Sequence, residues 1–163
     1  MLLDVIILTI SMTNLRAISL LFAMLLGGPV VAQQGAKPAP SRPKTVEVEV
    51  KDPLKQAEMF RRLGAGTVVI TMGGDGAILV QDNVRLRAGA YAVPYVDASG
   101  GGDAFDAGFI CGMLQGKAPE DCLRIASALG ASCVRAIGTT PGVFTRRECE
   151  AFMNEQKLKI ERI

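Results

Sequence analysis

The stretch "DASGGGDAFDAG", residues 97–108, sets three consecutive glycines between two aspartates and then runs straight into small residues that suit a helix. A flexible linker is also rich in glycine, but it is not normally followed by an apolar run such as "FDAGFICGMLQG", residues 105–116. The stretch reads as a backbone device. Peptide N–H groups at the start of a helix have no intrahelical partner and carry the positive end of the helix dipole. Residues without side chains let those N–H groups approach a phosphate closely. Gly100, Gly101, Gly102 and Asp103 therefore make a candidate anion hole, and the Asp103 carboxylate stands where it can take a proton from an attacking hydroxyl. The structural alternative is a capped helix start behind a flexible loop, and the motif alone leaves the two balanced.

Composition narrows the chemistry. The 163 residues are 49% hydrophobic and 21% charged, which suits a domain with a real core. A net charge of +2 offers no field for a nucleic-acid partner. Histidine is absent, which removes the usual general base, the Ser-His-Asp and Cys-His arrangements and most zinc sites. Cys111, Cys122, Cys133 and Cys149 contain no C-x-x-C pair, and buried free thiols are the plainer reading over a disulfide or metal site. The first three are eleven residues apart, close to three helical turns, so they can repeat on one helical face.

The chain divides into unlike parts, expected as 1–32, 33–45 and 46–163. Within the first, "MTNLRAISLLFAMLLGGPVVAQQ" (residues 12–34) has the layout of an export signal: Met12 and Arg16, an apolar core at 17–26, and a small-residue cleavage site at 30–32. The competing reading is a buried strand and helix, since "LLDVIIL" at 2–8 suits a core strand. "QQGAKPAPSRPK" (33–44) is a proline-rich linker, and residues 1–44 are expected to pack poorly or extend away.

Beyond it, "VEVEV" (46–50) alternates like a strand. Asp52 caps a helix that has Pro53 at its first position and Gly64 near its stop. "TVVITMGGDGAILV" (67–80) reads as strand, glycine turn and strand, and "VRLRAGAYAVPYV" (84–96) as one or two exposed strands. Helices are expected over about 102–116 and 119–136, with a last one starting at Thr145, whose hydroxyl can form a capping box with Glu148. Strands alternating with helical patterns predict an α/β domain with a mostly parallel sheet.

At this point a resemblance adds to the reading. "DASGGGDAFDAG" resembles the C-terminal signature of the ribokinase-like, PfkB-type carbohydrate kinases, Asp-Thr-x-Gly-Ala-Gly-Asp-x-Phe-x-x-Gly. Asp97, Gly100, Gly102, Asp103, Phe105 and Gly108 match it, while Ala98 and Gly101 depart conservatively. "VVITMGGDGAILV" (68–80) resembles the family's strand and nucleotide-binding turn, and "RIASALGASCVRAIGTTPGVFTRREC" (124–149) its Ala-rich helix and Gly-x-x-Pro loop.

The resemblance implies a ribokinase-like, Rossmann-type three-layer α/β fold, present as its C-terminal portion without the lid domain. It also implies ATP-dependent phosphorylation of a sugar or nucleoside hydroxyl. Asp103 would be the catalytic base, and Gly100, Gly101, Gly102 and Asp103 the anion hole. Thr71, Gly73 and Gly76 would line the ribose and phosphates, and Ser127 would fall near the adenine. Asp97 and Ser99, with carbonyls near Val134, Ile137 and Thr139, would form a monovalent-cation site for K+. ATP and Mg2+ are the implied co-reactants, and a homodimer is an assembly that the resemblance allows for the full-length family. Each role has a plainer rival: a hairpin turn at 71–76, Asp97 capping its loop, Asp106 as a solvated dipole partner.

The family's Asn-x-x-Glu motif, which orders magnesium, has no counterpart: Asn14, Asn83 and Asn154 are the asparagines, and none has a Glu three residues on. A kinase whose activity is impaired by truncation is one expectation, in the cytoplasm. The other is a non-catalytic nucleotide-binding remnant, exported or tethered to a membrane through residues 12–32.

Overall fold

The computed structural model describes residues 5–8 and 51–163. They belong to one compact unit; a second unit, Ile10–Glu49, lies outside the described residues. The expected strand at 46–50, the export-like segment and the linker all fall outside them as well.

The elements run β1 (Val5–Leu8), α1 (Pro53–Arg62), β2 (Thr67–Thr71), β3 (Ala77–Gln81), β4 (Val84–Ala88), α2 (Gly101–Leu114), α3 (Pro119–Cys133), α4 (Arg146–Glu155) and β5 (Ile160–Arg162). The strands form one sheet in the order β1-β2-β3-β4-β5.

Every pair in this sheet is antiparallel, which corrects the expectation of a mostly parallel one. The misleading signal was the alternation of strands with helical patterns, which parallel βαβ units share with antiparallel sheets that carry helices on their faces. Side chains alternate across a strand. Val69, Ala77 and Leu79 join one core with Phe105, Phe109, Leu123 and Ala126, while Val68, Ile70, Ile78 and Val80 join a second with Ala57 of α1. The sheet is thus the middle of three layers, with α1 on one face and the helices after β4 on the other. Connection length settles direction: five residues join β2 to β3 and two join β3 to β4. A parallel crossover needs roughly a dozen. Asp82, in the two-residue turn, has φ 44°, and Arg61 reaches its carboxylate at 3.0 Å.

β1 pairs with β2, Val5 opposite Ile70 and Leu8 opposite Thr67, so the strand reading of "LLDVIIL" holds for residues 5–8. The expectation that all of 1–44 stands apart fails there, because the edge of β2 offers unpaired backbone groups to an apolar segment. β4 ends at Ala88, and residues 89–98 form no further strand. β5 closes the other edge and had no marked sequence signal.

The helix ends are locally encoded. Asp52 accepts hydrogen bonds from Leu54 N (2.9 Å) and Lys55 N (3.4 Å), with Pro53 in the first turn of α1. At α4, Thr145 Oγ1 accepts from Glu148 N (3.4 Å) while Glu148 Oε2 accepts from Thr145 N (2.7 Å), the expected capping box. Thr145→Ala is expected to cost about 1 kcal/mol in chemical denaturation, the usual worth of such a cap. An unchanged midpoint would show that α4 is held by packing alone.

The small residues of α2 also find their reason here. A Cβ on Gly108 would lie 2.9 Å from Ala126 Cα, and one on Gly112 2.9 Å from Cys122 Sγ. Bare positions along α2 let α3 approach closely.

Candidate active site

The loop before α2 is built on one left-handed residue. Gly100 caps the helix at φ 77°, ψ −3°, and a Cβ there would sit 2.8 Å from Thr139 Cα and 2.9 Å from its carbonyl oxygen. Both the dihedral and the space require glycine. Gly101 N donates back to Ala98 O at 3.2 Å, and Ala104 N donates to Gly100 O at 2.9 Å as the first full helical bond. Between them, the N–H groups of Gly102 and Asp103 occupy helical positions that no earlier carbonyl can serve. The helix start therefore leaves two amides along the helix dipole, and the Gly101 amide is turned into its own loop. Asp103 is the third residue of α2, in its first turn, and is exposed.

Asp97 organises the other end of the loop. Its Oδ1 accepts from Ser99 N (3.0 Å) and Ser99 Oγ (2.8 Å), and its Oδ2 accepts from Gly138 N (2.9 Å). The Gly138 amide first, then the two Ser99 groups, hold the Asp97 carboxyl below its ordinary value. A lowered carboxylate value means that the ionised form is favoured by the fold. The loop therefore keeps this support above the unfolded value, near ~4, and loses it as pH falls through the lower folded value. In NMR titrations the Gly138 amide shift should move below about pH 4 in the wild type. In Asp97→Asn it should stay flat, and an equal titration in both would remove Asp97 as the cause.

The remaining candidates for the cation site sit around the same turn. Val134 O accepts from Val96 N (2.8 Å) and Asp97 N (3.2 Å), and Thr139 O accepts from the Cys133 thiol at 3.3 Å. Ile137 is 79% exposed, so its side chain faces solvent. Among the described residues no group of three or more His, Cys, Asp or Glu lies together as a metal cluster. A cation held here would take neutral oxygens with one carboxylate, a hard oxygen donor set. A carboxylate has about four lone-pair positions, and three of those on Asp97 are engaged by the chain's own donors. Capping of the loop is thus the role that the geometry displays directly.

The nucleotide candidates lie on other elements. Thr71 ends β2 opposite Ala77, and Gly73–Asp75 form a single 3-10 turn closed by Met72 N to Gly76 O at 2.8 Å. The segment is a hairpin turn, the plainer alternative for it. Ser127 is buried in α3 beside Ala126, which packs on Gly108. The structure joins Asp97, Ser99, Gly100, Val134 and Thr139 directly; Thr71, Gly73, Gly76 and Ser127 belong to separate elements.

Sequence reasoning missed two members of this cluster. Gly138, at φ 97°, supplies the amide that fixes Asp97, and its signal was a glycine three residues before Pro141. Cys133 carried no signal apart from its apolar helix. Of the four cysteines, all free, Cys122, Cys133 and Cys149 are buried and Cys111 is exposed. Cys111 lies on α2 and Cys122 and Cys133 on α3, so the eleven-residue repeat does not run along one helix.

Residues 40–146 match the profile of the pfkB family carbohydrate kinases, and the chain belongs to that family. The ATP-dependent 6-phosphofructokinase of Thermoanaerobacterium thermosaccharolyticum is 35% identical over 100 residues, 61% of this chain and 31% of that protein. The ribokinase of Thermotoga maritima superposes with a TM-score of 0.58 at 32% identity, over 61% of this chain and 34% of that one. The Arabidopsis thaliana ribokinase, solved with ribose and ATP, gives 0.58 at 30% identity over 64% of this chain and 35% of that one. The chain thus spans 31–35% of the length of these relatives. The fold is ribokinase-like α/β. Among the described residues no helix is long and apolar enough to cross a membrane.

Proposed function

We propose that this chain carries the phosphoryl-transfer site of a carbohydrate kinase, which uses ATP to phosphorylate a hydroxyl of a sugar or nucleoside. The observation that carries this reading is the start of α2, where the Gly102 and Asp103 amides take first-turn positions with no side-chain cap and the Asp103 carboxylate lies on the same turn. The substrate hydroxyl oxygen attacks the γ-phosphorus of ATP, the bond to the bridging oxygen breaks, ADP leaves, and the hydroxyl proton passes to Asp103. The amides at 102 and 103 hold the charge on the transferring group, where fixed dipoles act most strongly.

Thr71, Gly73 and Gly76 line the ribose and phosphates in this reading, and Ser127 borders the adenine. Mg2+ would neutralise the phosphates. K+ would sit by Asp97, Ser99 and the carbonyls of Val134, Ile137 and Thr139, where it would stiffen the loop that Asp97 already caps. A need for ATP argues for a cytoplasmic location.

Two measurements test the proposal: calorimetry with ATP·Mg2+, and ADP release with a panel of sugars and nucleosides. Binding with substrate-dependent ADP release supports it, and Gly102→Val should weaken binding by crowding the amides. A folded sample that binds no ATP overturns it. The export-like layout of residues 12–34 favours a second reading, a non-catalytic nucleotide-binding remnant that is exported or tethered. Binding without ADP release on any acceptor would favour that one.

A further inference from the structure

The anion-hole loop and the turn after α3 are joined at several points. Val96 and Asp97 donate to Val134 O, Gly138 donates to Asp97, and Gly100 lies directly against Thr139. At the centre is Cys133, the last residue of α3 and fully buried. Two backbone carbonyls converge on its thiol, Ser99 O at 3.4 Å from one side and Thr139 O at 3.3 Å from the other. Carbonyl groups facing a buried position need a donor, and the single thiol proton is shared between these two.

The geometry points to Cys133 as a positioning residue for the anion hole. Its thiol holds the Ser99 carbonyl, and so fixes the left-handed turn at Gly100 that presents the Gly102 and Asp103 amides. Asp97 references the front of the loop to Gly138, and Cys133 references its back to Thr139. The loop then has one allowed seat on the turn. Cys133 touches no reacting atom; it acts through Ser99 and Gly100. Its consequence for turnover rests on the kinase reading, whereas its effect on the loop does not.

The test compares Cys133→Ala, Cys133→Ser and Cys122→Ala. Cys122 is also buried in the same helix, and its thiol donates to Lys117 O, at 3.6 Å, rather than to the loop. In the ligand-free protein, exchange of the hydrogen-bonded amides of Val96, Asp97, Gly101, Ala104 and Gly138 reports the loop. Cys133→Ala should speed that exchange about two- to fivefold, the scale of one shared weak thiol hydrogen bond. Cys133→Ser, which keeps a donor, should restore most of it, and Cys122→Ala should leave these amides unchanged. In ADP-release assays Cys133→Ala should lower kcat with little change in the KM of the acceptor, and the serine variant should recover it. Equal exchange in Cys133→Ala and Cys122→Ala, or no recovery with serine in a folded protein, overturns the assignment. If Cys133→Ala does not fold, Cys133→Val fills the space without a donor and takes its place. A wild type that binds no ATP defeats the kinase reading, and the exchange pattern still decides the role of Cys133.

Discussion

Replacing Asp103 with asparagine is expected to lower substrate-dependent ADP release by about 10²–10⁴-fold, the usual worth of a general base. The shape of the side chain is kept, and what is lost is the capacity to take the hydroxyl proton as the oxygen attacks. Binding should change little, because the Gly102 and Asp103 amides belong to the backbone and survive the substitution. The expected pattern is a fall in kcat with ATP affinity and unfolding midpoint near wild type. Asp97 is the rival carboxylate, and its two oxygens are already engaged by Ser99 and Gly138. Asp97→Asn should therefore act more mildly, through the order of the loop and its cation dependence. Near-normal turnover in the Asp103 variant would return the motif to a capped helix start with no catalytic part.

The site was more legible than the sheet. Three glycines before a small-residue helix are a local instruction, and the structure carries it out through Gly100 at φ 77°. The caps at Asp52 and Thr145 were equally local, and both appear where the side-chain chemistry requires them. Strand direction was misread because strands alternating with helical patterns resemble βαβ units, whereas β2, β3 and β4 follow one another through short turns. The shorter signal, Asp82-Asn83 between two apolar runs, did specify a hairpin. β1 was legible as a strand in "LLDVIIL", but an apolar run of a few residues does not name its partner, and only pairing with β2 does. The ties between 96–100 and 133–139 were invisible, since they join a carboxylate and a thiol to backbone groups some forty residues away. Backbone donors and acceptors are the same at every position, so no residue type announces them.

The largest expected loss of stability is at Gly76. Its backbone stands at φ 88°, ψ −138°, a region nearly closed to residues with a side chain. A Cβ would also fall 2.0 Å from Ala88 O and 2.7 Å from Gly89 C. Neither atom is free to retreat, because Ala88 pairs with both Ala77 and Ile160 and so links β3 to β5. Strain of about 1–3 kcal/mol from the dihedral and a similar cost from overpacking predict a loss of roughly 3–5 kcal/mol for Gly76→Ala. That is a large fraction of the ~5–15 kcal/mol that holds a typical domain together. The other glycines of the turn serve as internal controls. Gly73 has φ 57° with open space around it, so Gly73→Ala should cost only the left-handed penalty of about 1–2 kcal/mol. Gly74 has open space and no positive φ, and Gly74→Ala should stay within about 0.5 kcal/mol of wild type. Urea denaturation of the three variants should rank them in that order. A Gly76→Ala protein as stable as Gly74→Ala would show that the turn does not approach β4 as described, and would remove the 73–76 turn as a nucleotide site of fixed shape.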